Sequence, residues 1–181
     1  MPAFERVALI GIGLIGSSLA RVLRRDSPET TIVACARRAE TLAAARRLGL
    51  ADETTDDPAA AVAGADLVVL ATPLSAYRDI ARQIAPALRD GAIVTDVGSV
   101  KSAAIEALRP YLPARAHFVP GHPVAGTEHS GPGSGFAELF RDRWCILTPL
   151  PETAPEAVAQ VTRMWQAAGM RVVTMAADHH D

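Results

Sequence analysis

Cysteine is scarce: two residues, Cys35 and Cys145, among 181. Two thiols exclude a disulfide framework and a four-cysteine zinc site. Each lies in an apolar run, as expected of a buried free thiol in a reducing compartment. An excess of charge is also missing. Eighteen Lys+Arg stand against 20 Asp+Glu, a formal net charge of −2, which gives no global electrostatic drive toward nucleic acid or an anionic membrane. Long apolar stretches are absent too. The N-terminal run from Val7 to Ala20 is 14 residues broken by three glycines, whereas a membrane span needs about 20 residues. A basic leader followed by a small-residue cleavage site is not present. What remains is 49% apolar and 21% charged, the composition of a globular chain with one core and, on these grounds, a cytoplasmic location.

The pattern that is present alternates strands and helices. Arg6–Ile10, Thr31–Cys35, Asp66–Ala71 and Ala92–Thr95 read as strands. The third of these is uniformly apolar, as in a strand covered on both faces. Helical spacing follows over Ser17–Arg25, Glu40–Leu48, Leu74–Leu88 and Val100–Leu108. Such alternation predicts a Rossmann-type, doubly wound α/β fold with a mostly parallel sheet. After Pro110 the texture changes. His117–Pro120, Trp144–Thr148 and Arg171–Met175 read as extra C-terminal strands around a helix near Glu156–Ala168, and Gly121–Gly135 reads as a loop with five glycines. Residues 1–175 are thus expected to form the domain. Residues 176–181 have no closing turn signal and read as the start of a linker or further helix.

The chemistry begins at Gly11-Ile-Gly13-Leu14-Ile15-Gly16. It follows a strand and opens a helix, the context in which G-x-G-x-x-G binds a dinucleotide. The first glycine makes the tight turn, the second admits the pyrophosphate, and the third lets helix and strand approach. Free N–H groups at the helix start then face the phosphates. An NAD site would place an acid at the end of the second strand. Here Arg37 and Arg38 stand there and the nearest acid is Glu40. Paired guanidiniums suit a 2′-phosphate, so NADP is the expected cofactor, with NAD possible.

Two more strand ends reach the same crevice, Thr72-Pro73 and Asp96-Val97-Gly98-Ser99. Ser99 is equally suited to cap the helix it precedes. His122, between a strand end and the glycine loop, is a residue type that accepts protons near neutral pH, or else a structural loop histidine. His179 and His180, beside Asp178 and Asp181, are adjacent on a helix and so face different ways; no metal site is expected.

Several blocks carry a resemblance to a known family: Val7 to Ser18, Thr95-Asp-Val-Gly-Ser-Val-Lys101, Gly121-His-Pro-Val-Ala-Gly-Thr-Glu128, and the Ser130-Gly131, Leu139-Phe140 and Ile146–Pro149 positions after it. With these the chain resembles the prephenate/arogenate dehydrogenases of tyrosine biosynthesis over essentially its whole length. The resemblance implies oxidative decarboxylation of prephenate or arogenate, with hydride transfer to NAD(P)+. It implies His122 as the proton acceptor and Ser99 as the residue that orients it. Thr127 and Glu128 would shape or gate the substrate pocket, and Thr72 and Pro73 would flank the nicotinamide ribose. Family members continue past the His180-Asp181 pair into a helical domain that makes a homodimer, covers the site and supplies an arginine for the substrate carboxylate. That domain is not in this chain, and no spacing shows Arg141, Arg143 or Lys101 replacing the arginine. Two alternatives stay open. One is a non-catalytic NADP-binding module. The other is a different Rossmann oxidoreductase, such as a 3-hydroxyacid dehydrogenase or an imine reductase.

Overall fold

A computed structural model describes residues 3–181. Six strands form one wholly parallel sheet: β1 (Arg6–Ile10), β2 (Thr31–Cys35), β3 (Glu53–Thr55), β4 (Leu67–Leu70), β5 (Ile93–Asp96) and β6 (His117–Val119). Their spatial order is β3-β2-β1-β4-β5-β6, the doubly wound arrangement that the alternating pattern predicts. The order reverses between β1 and β4, and the crevice beyond their carboxyl ends is where such sheets bind ligands. Every residue of β4 is buried, since helices cover both faces.

One face packs α1 (Leu14–Asp26), α2 (Ala39–Arg47) and α6 (Pro155–Ala167) around Leu9, Leu19, Leu67, Phe140 and Trp165. The other packs α3 (Pro58–Val62), α4 (Tyr77–Ile84) and α5 (Lys101–Leu108) around Ile10, Val68, Tyr77, Ile84 and Leu108. A second sheet holds β7 (Gly121–Pro123), β8 (Trp144–Leu147) and β9 (Arg171–Thr174). In it β7 runs antiparallel to β8, and β8 runs parallel to β9. The chain closes with a short helix, α7 (Ala177–His180). Among the described residues no helix is long and apolar enough to cross a membrane.

Four local expectations are corrected. The first helix begins at Leu14 rather than Ser17, so the glycine motif runs directly into it. The helical stretch over 74–88 is three pieces, because 3₁₀ turns at Leu74–Ala76 and Ala85–Ala87 flank α4. Pro73 sits just before the first turn and Pro86 inside the second, and each lacks a helical N–H. β3 and α3 were not anticipated. β3 is a three-residue, partly exposed edge strand with no apolar run. The start of α3 did carry a readable signal: Asp57 Oδ1 accepts from the Ala59 N–H at 3.0 Å, with Pro58 at the first helical position. Finally, the glycine loop starts later than expected, because residues 121–123 are a strand. Pro123 is tolerated there because β7 is the edge of its sheet.

Candidate active site

The glycine turn closes on itself in the way the motif requires. Gly11 has φ +100°, and a Cβ there would collide with the Ala71 carbonyl. A Cβ on Gly16 would strike the Gly11 carbonyl, so helix and turn touch. Gly13 is the contrast: a Cβ placed on it meets nothing within 4 Å. It borders a cleft of about 670 Å³ lined also by Gly11, Arg37, Thr72, Pro73 and Asp56. Gly13 caps α1 with no side-chain acceptor, and the first turn carries no acid. The N–H groups at Leu14 and Ile15 therefore await an anion from outside. The Thr72 hydroxyl is buried with no partner in the protein. Steric room at Gly13, an uncapped helix start and an orphaned hydroxyl together fit a dinucleotide.

The arginine pair divides. Arg37 lines the cleft, whereas Arg38 is the N-cap residue of α2 and does not. Asp56, beyond the end of β3, faces the same space; no sequence pattern marks it, because β3 is short, partly exposed and without an apolar run.

Asp96, Lys101 and Tyr77 form a buried polar knot at the end of β5. Asp96 Oδ2 lies 2.5 Å from Lys101 Nζ, 3.1 Å from the Tyr77 hydroxyl and 3.0 Å from the Gly98 N–H. Asp96 Oδ1 accepts from the Gly121 N–H at 3.1 Å. Lys101, the one lysine in the chain, has no exposed side-chain surface. Its ammonium also donates to the Gly121 carbonyl at 2.6 Å. Burial pulls its pKa below the usual lysine value, and Asp96 opposes that pull. The expectation that Asp96 faces the cofactor is corrected: the carboxylate is wholly enclosed, and its bonds are spent on holding the peptide that precedes His122. Val97 packs against the core.

His122 is thereby held from both sides, by Lys101 and Asp96 through Gly121 and by β8 through the pairing of His122 with Ile146. Its ring is half-buried. Burial is the largest cause of a lowered pKa, helped by His180 and Lys101 and opposed by Asp96 and Asp181. A neutral imidazole therefore prevails at physiological pH. Its Nδ1 is 2.8 Å from His180 Nε2, a contact between residues 58 apart in the chain that no spacing could reveal.

Ser99 lies exposed just beyond β5 and makes no hydrogen bond to the imidazole, whose Nδ1 is taken by His180. The alternative role of Ser99 as a helix cap is also corrected. Val100 is the N-cap residue, and the Asp181 carboxylate accepts from the N–H groups of Lys101 and Ser102 at 2.9 and 2.8 Å. Thr127 and Glu128 are exposed, and their side chains meet the neighbouring His129, Thr127 accepting from its N–H and Glu128 pairing with its ring. The loop beyond them returns to the glycine motif: the Phe136 N–H donates to the Ser18 hydroxyl at 3.1 Å, and Gly135 packs on Ser17 too tightly for any Cβ. Among the described residues, no group of three or more His, Cys, Asp or Glu side chains is arranged to hold a metal.

The sequence and fold are similar to those of known proteins. The chain is 44% identical over all 181 residues to cyclohexadienyl dehydrogenase of Zymomonas mobilis, covering 61% of that protein. Its fold matches Aquifex aeolicus prephenate dehydrogenase, solved with hydroxyphenyl propionate and NAD+, at a TM-score of 0.90 and 34% identity, over 97% of this chain and 61% of that one. It matches Synechocystis arogenate dehydrogenase at a TM-score of 0.89 and 31% identity, again over 97% of this chain and 61% of that one. The chain thus spans about three-fifths of the length of these relatives. Residues 19–174 match the family described as prephenate dehydrogenase, nucleotide-binding domain, and the chain belongs to that family.

Proposed function

We propose that this chain is the dinucleotide-binding part of an enzyme that oxidises and decarboxylates prephenate, arogenate or both, with NAD(P)+ as the oxidant, in tyrosine biosynthesis. The observation that carries the proposal is a half-buried imidazole, His122, fixed at the carboxyl edge of the sheet that holds a glycine-rich cleft. β1, β4, β5 and β6 are successive neighbours in that sheet at about 4.8 Å per strand. The turn after β1 and His122 after β6 therefore open toward one crevice.

In this reading Gly13, Leu14 and Ile15 receive the pyrophosphate, and Thr72 and Pro73 flank the nicotinamide ribose. The bound nicotinamide supplies the hydride acceptor. His122 takes the proton of the ring hydroxyl while the carbinol hydrogen leaves as hydride. The bond to the ring carboxylate then breaks, releasing CO2; its electron pair completes the aromatic ring, and the ring carbonyl becomes a phenol oxygen that takes back the proton held by His122. Burial serves this chemistry, because an imidazole kept neutral is ready to accept. Ser99, exposed at the strand end, meets the ligand in this reading, and Thr127 and Glu128 shape or gate the substrate pocket. Arg37 supports a preference for the 2′-phosphate of NADP over NAD. A homodimer in the longer protein is part of the same proposal.

The decisive experiment is turnover with prephenate and arogenate before and after His122→Asn. A lost general base reduces kcat by about 10²–10⁴-fold, with dinucleotide affinity unchanged. Equal turnover in the variant would overturn the role. Calorimetric binding of NADP+ and NAD+, repeated with each acid, decides the cofactor preference. Dinucleotide binding with no turnover would favour a non-catalytic binding module.

A further inference from the structure

We propose that His180 and Asp181 are positioning residues that hold His122 in the one tautomer able to accept a proton at Nε2. The argument runs inward from the carboxylate. Asp181 accepts from the first N–H groups of α5, those of Lys101 and Ser102. These bonds and its contact with His180 hold its carboxyl well below the usual carboxylate range, so it is an acceptor only. His180 Nδ1 lies 2.7 Å from Asp181 Oδ1, so this nitrogen carries the hydrogen. His180, taken as the neutral imidazole, has one donor and one acceptor nitrogen, leaving a lone pair on its Nε2. That lone pair faces His122 Nδ1 at 2.8 Å. Two lone pairs would repel, so the hydrogen between the rings belongs to His122 Nδ1. His122 Nε2 is left bare.

The arrangement is sheltered and oriented. The His180 side chain is only 6% exposed, so water competes poorly for the inter-ring bond. The ring planes are inclined at 71° with centroids 5.1 Å apart, so the two imidazoles approach nitrogen to nitrogen, twisted about the line that joins them. The anchor is backbone: Asp181 is tied to α5, whose first residue, Lys101, also grips the Gly121 carbonyl. One element therefore fixes both ends of the chain of contacts. Water alone would leave the His122 proton shared between its two nitrogens, and molecules protonated at Nε2 cannot act as the base. The role of His122 as that base rests on the function proposed above; the tautomer does not.

The test separates the two. The 181-residue chain, labelled with ¹⁵N-histidine, is examined by NMR at neutral pH as wild type, His180→Gln and His180→Leu. In the wild type His122 is expected to carry its proton on Nδ1 with Nε2 unprotonated. Gln presents an amide oxygen at that position and preserves this form; Leu removes the acceptor, and both tautomers appear. Where turnover is measured, His180→Leu lowers kcat about two- to tenfold, in proportion to the His122 left in the competent tautomer, leaves the NADP+ dissociation constant unchanged, and is rescued in His180→Gln. A wild-type His122 protonated at Nε2, or a single unchanged tautomer in His180→Leu, would overturn the inference. Should His180→Leu fail to fold, the wild-type tautomer and the Gln variant decide it. Turnover that is insensitive to His122→Asn would instead sink the catalytic reading and leave the tautomer standing.

Discussion

Replacing Lys101 by Met tests how the site is held. The ammonium has two partners, Asp96 Oδ2 at 2.5 Å and the Gly121 carbonyl at 2.6 Å, and neither charged side chain has exposed surface. Lys101→Met keeps the apolar stem, strands a buried carboxylate and orphans a buried carbonyl. Removing one member of a buried pair costs about 3–5 kcal/mol. The donors left on Asp96, from Tyr77, Gly98 and Gly121, soften the loss without replacing the counter-charge. For a chain of this size about 2–4 °C is lost per kcal/mol, so the midpoint should fall by roughly 6–20 °C. Thermal unfolding followed by circular dichroism reads this directly. Adding Asp96→Asn removes the stranded charge, so the double variant should lose clearly less than the two single losses combined. As a control, Arg163→Ala breaks the exposed pair with Glu156 and should leave the midpoint where it was. A shift of less than about 2 °C for Lys101→Met, under about 1 kcal/mol for a chain of this size, or strict additivity in the double variant, would refute the argument that this pair holds the site.

Three further outcomes follow from the geometry. Arg37→Ala should raise the NADP+ dissociation constant about 10- to 100-fold, the worth of a hydrogen bond to a charged group, and barely change that of NAD+. Arg38→Ala, outside the cleft, should do less, and equal effects on both dinucleotides would remove the basis for NADP preference. Gly13→Ala should leave the unfolding midpoint near wild type, since a Cβ there meets nothing within 4 Å, yet weaken dinucleotide binding by crowding the phosphate. Gly11→Ala should lower the midpoint, because φ is +100° and the Ala71 carbonyl is in the way. Undiminished NADP+ affinity in Gly13→Ala would show that the ligand does not approach there.

The third concerns pH. The folded His122 pKa lies below its ordinary value, so between that value and about 6.5 the unfolded chain binds more protons than the native one. Stability from this group is complete above about pH 6.5 and is lost as pH falls toward the folded pKa. Urea unfolding from pH 8 to 5 should show a steeper acid loss for wild type than for His122→Asn. The proton-accepting form should persist in turnover to a pH below that of an ordinary histidine. His180 and Lys101 push the pKa down, and Asp96 and Asp181 push it up. Matching slopes for the two proteins would mean that His122 has the same pKa folded and unfolded, and would refute the lowering.

The parallel sheet and its cofactor turn were legible because their signals are local. An uninterrupted apolar run such as Leu67–Leu70 has no stable place except between two covered faces. Gly11, Gly13 and Gly16 announce a strand, a turn and a helix within six residues. His122, too, stood out by its place before a glycine loop. The rest depends on contacts across the fold. Gly121–Pro123 looks like a chain breaker and becomes a strand because β8 offers it an edge. Asp96 looks like a ligand-facing residue, but the crossing of β5, α4 and β7 encloses it together with Lys101. His180 and Asp181 read as the start of a linker or further helix; they reach His122 and α5 across 58 and about 80 residues, and sequence spacing carries no information at that range. Local chemistry determines which residue types can do the work. Only the packing of the second sheet and of α7 on α5 decides which nitrogen of His122 is left free to do it.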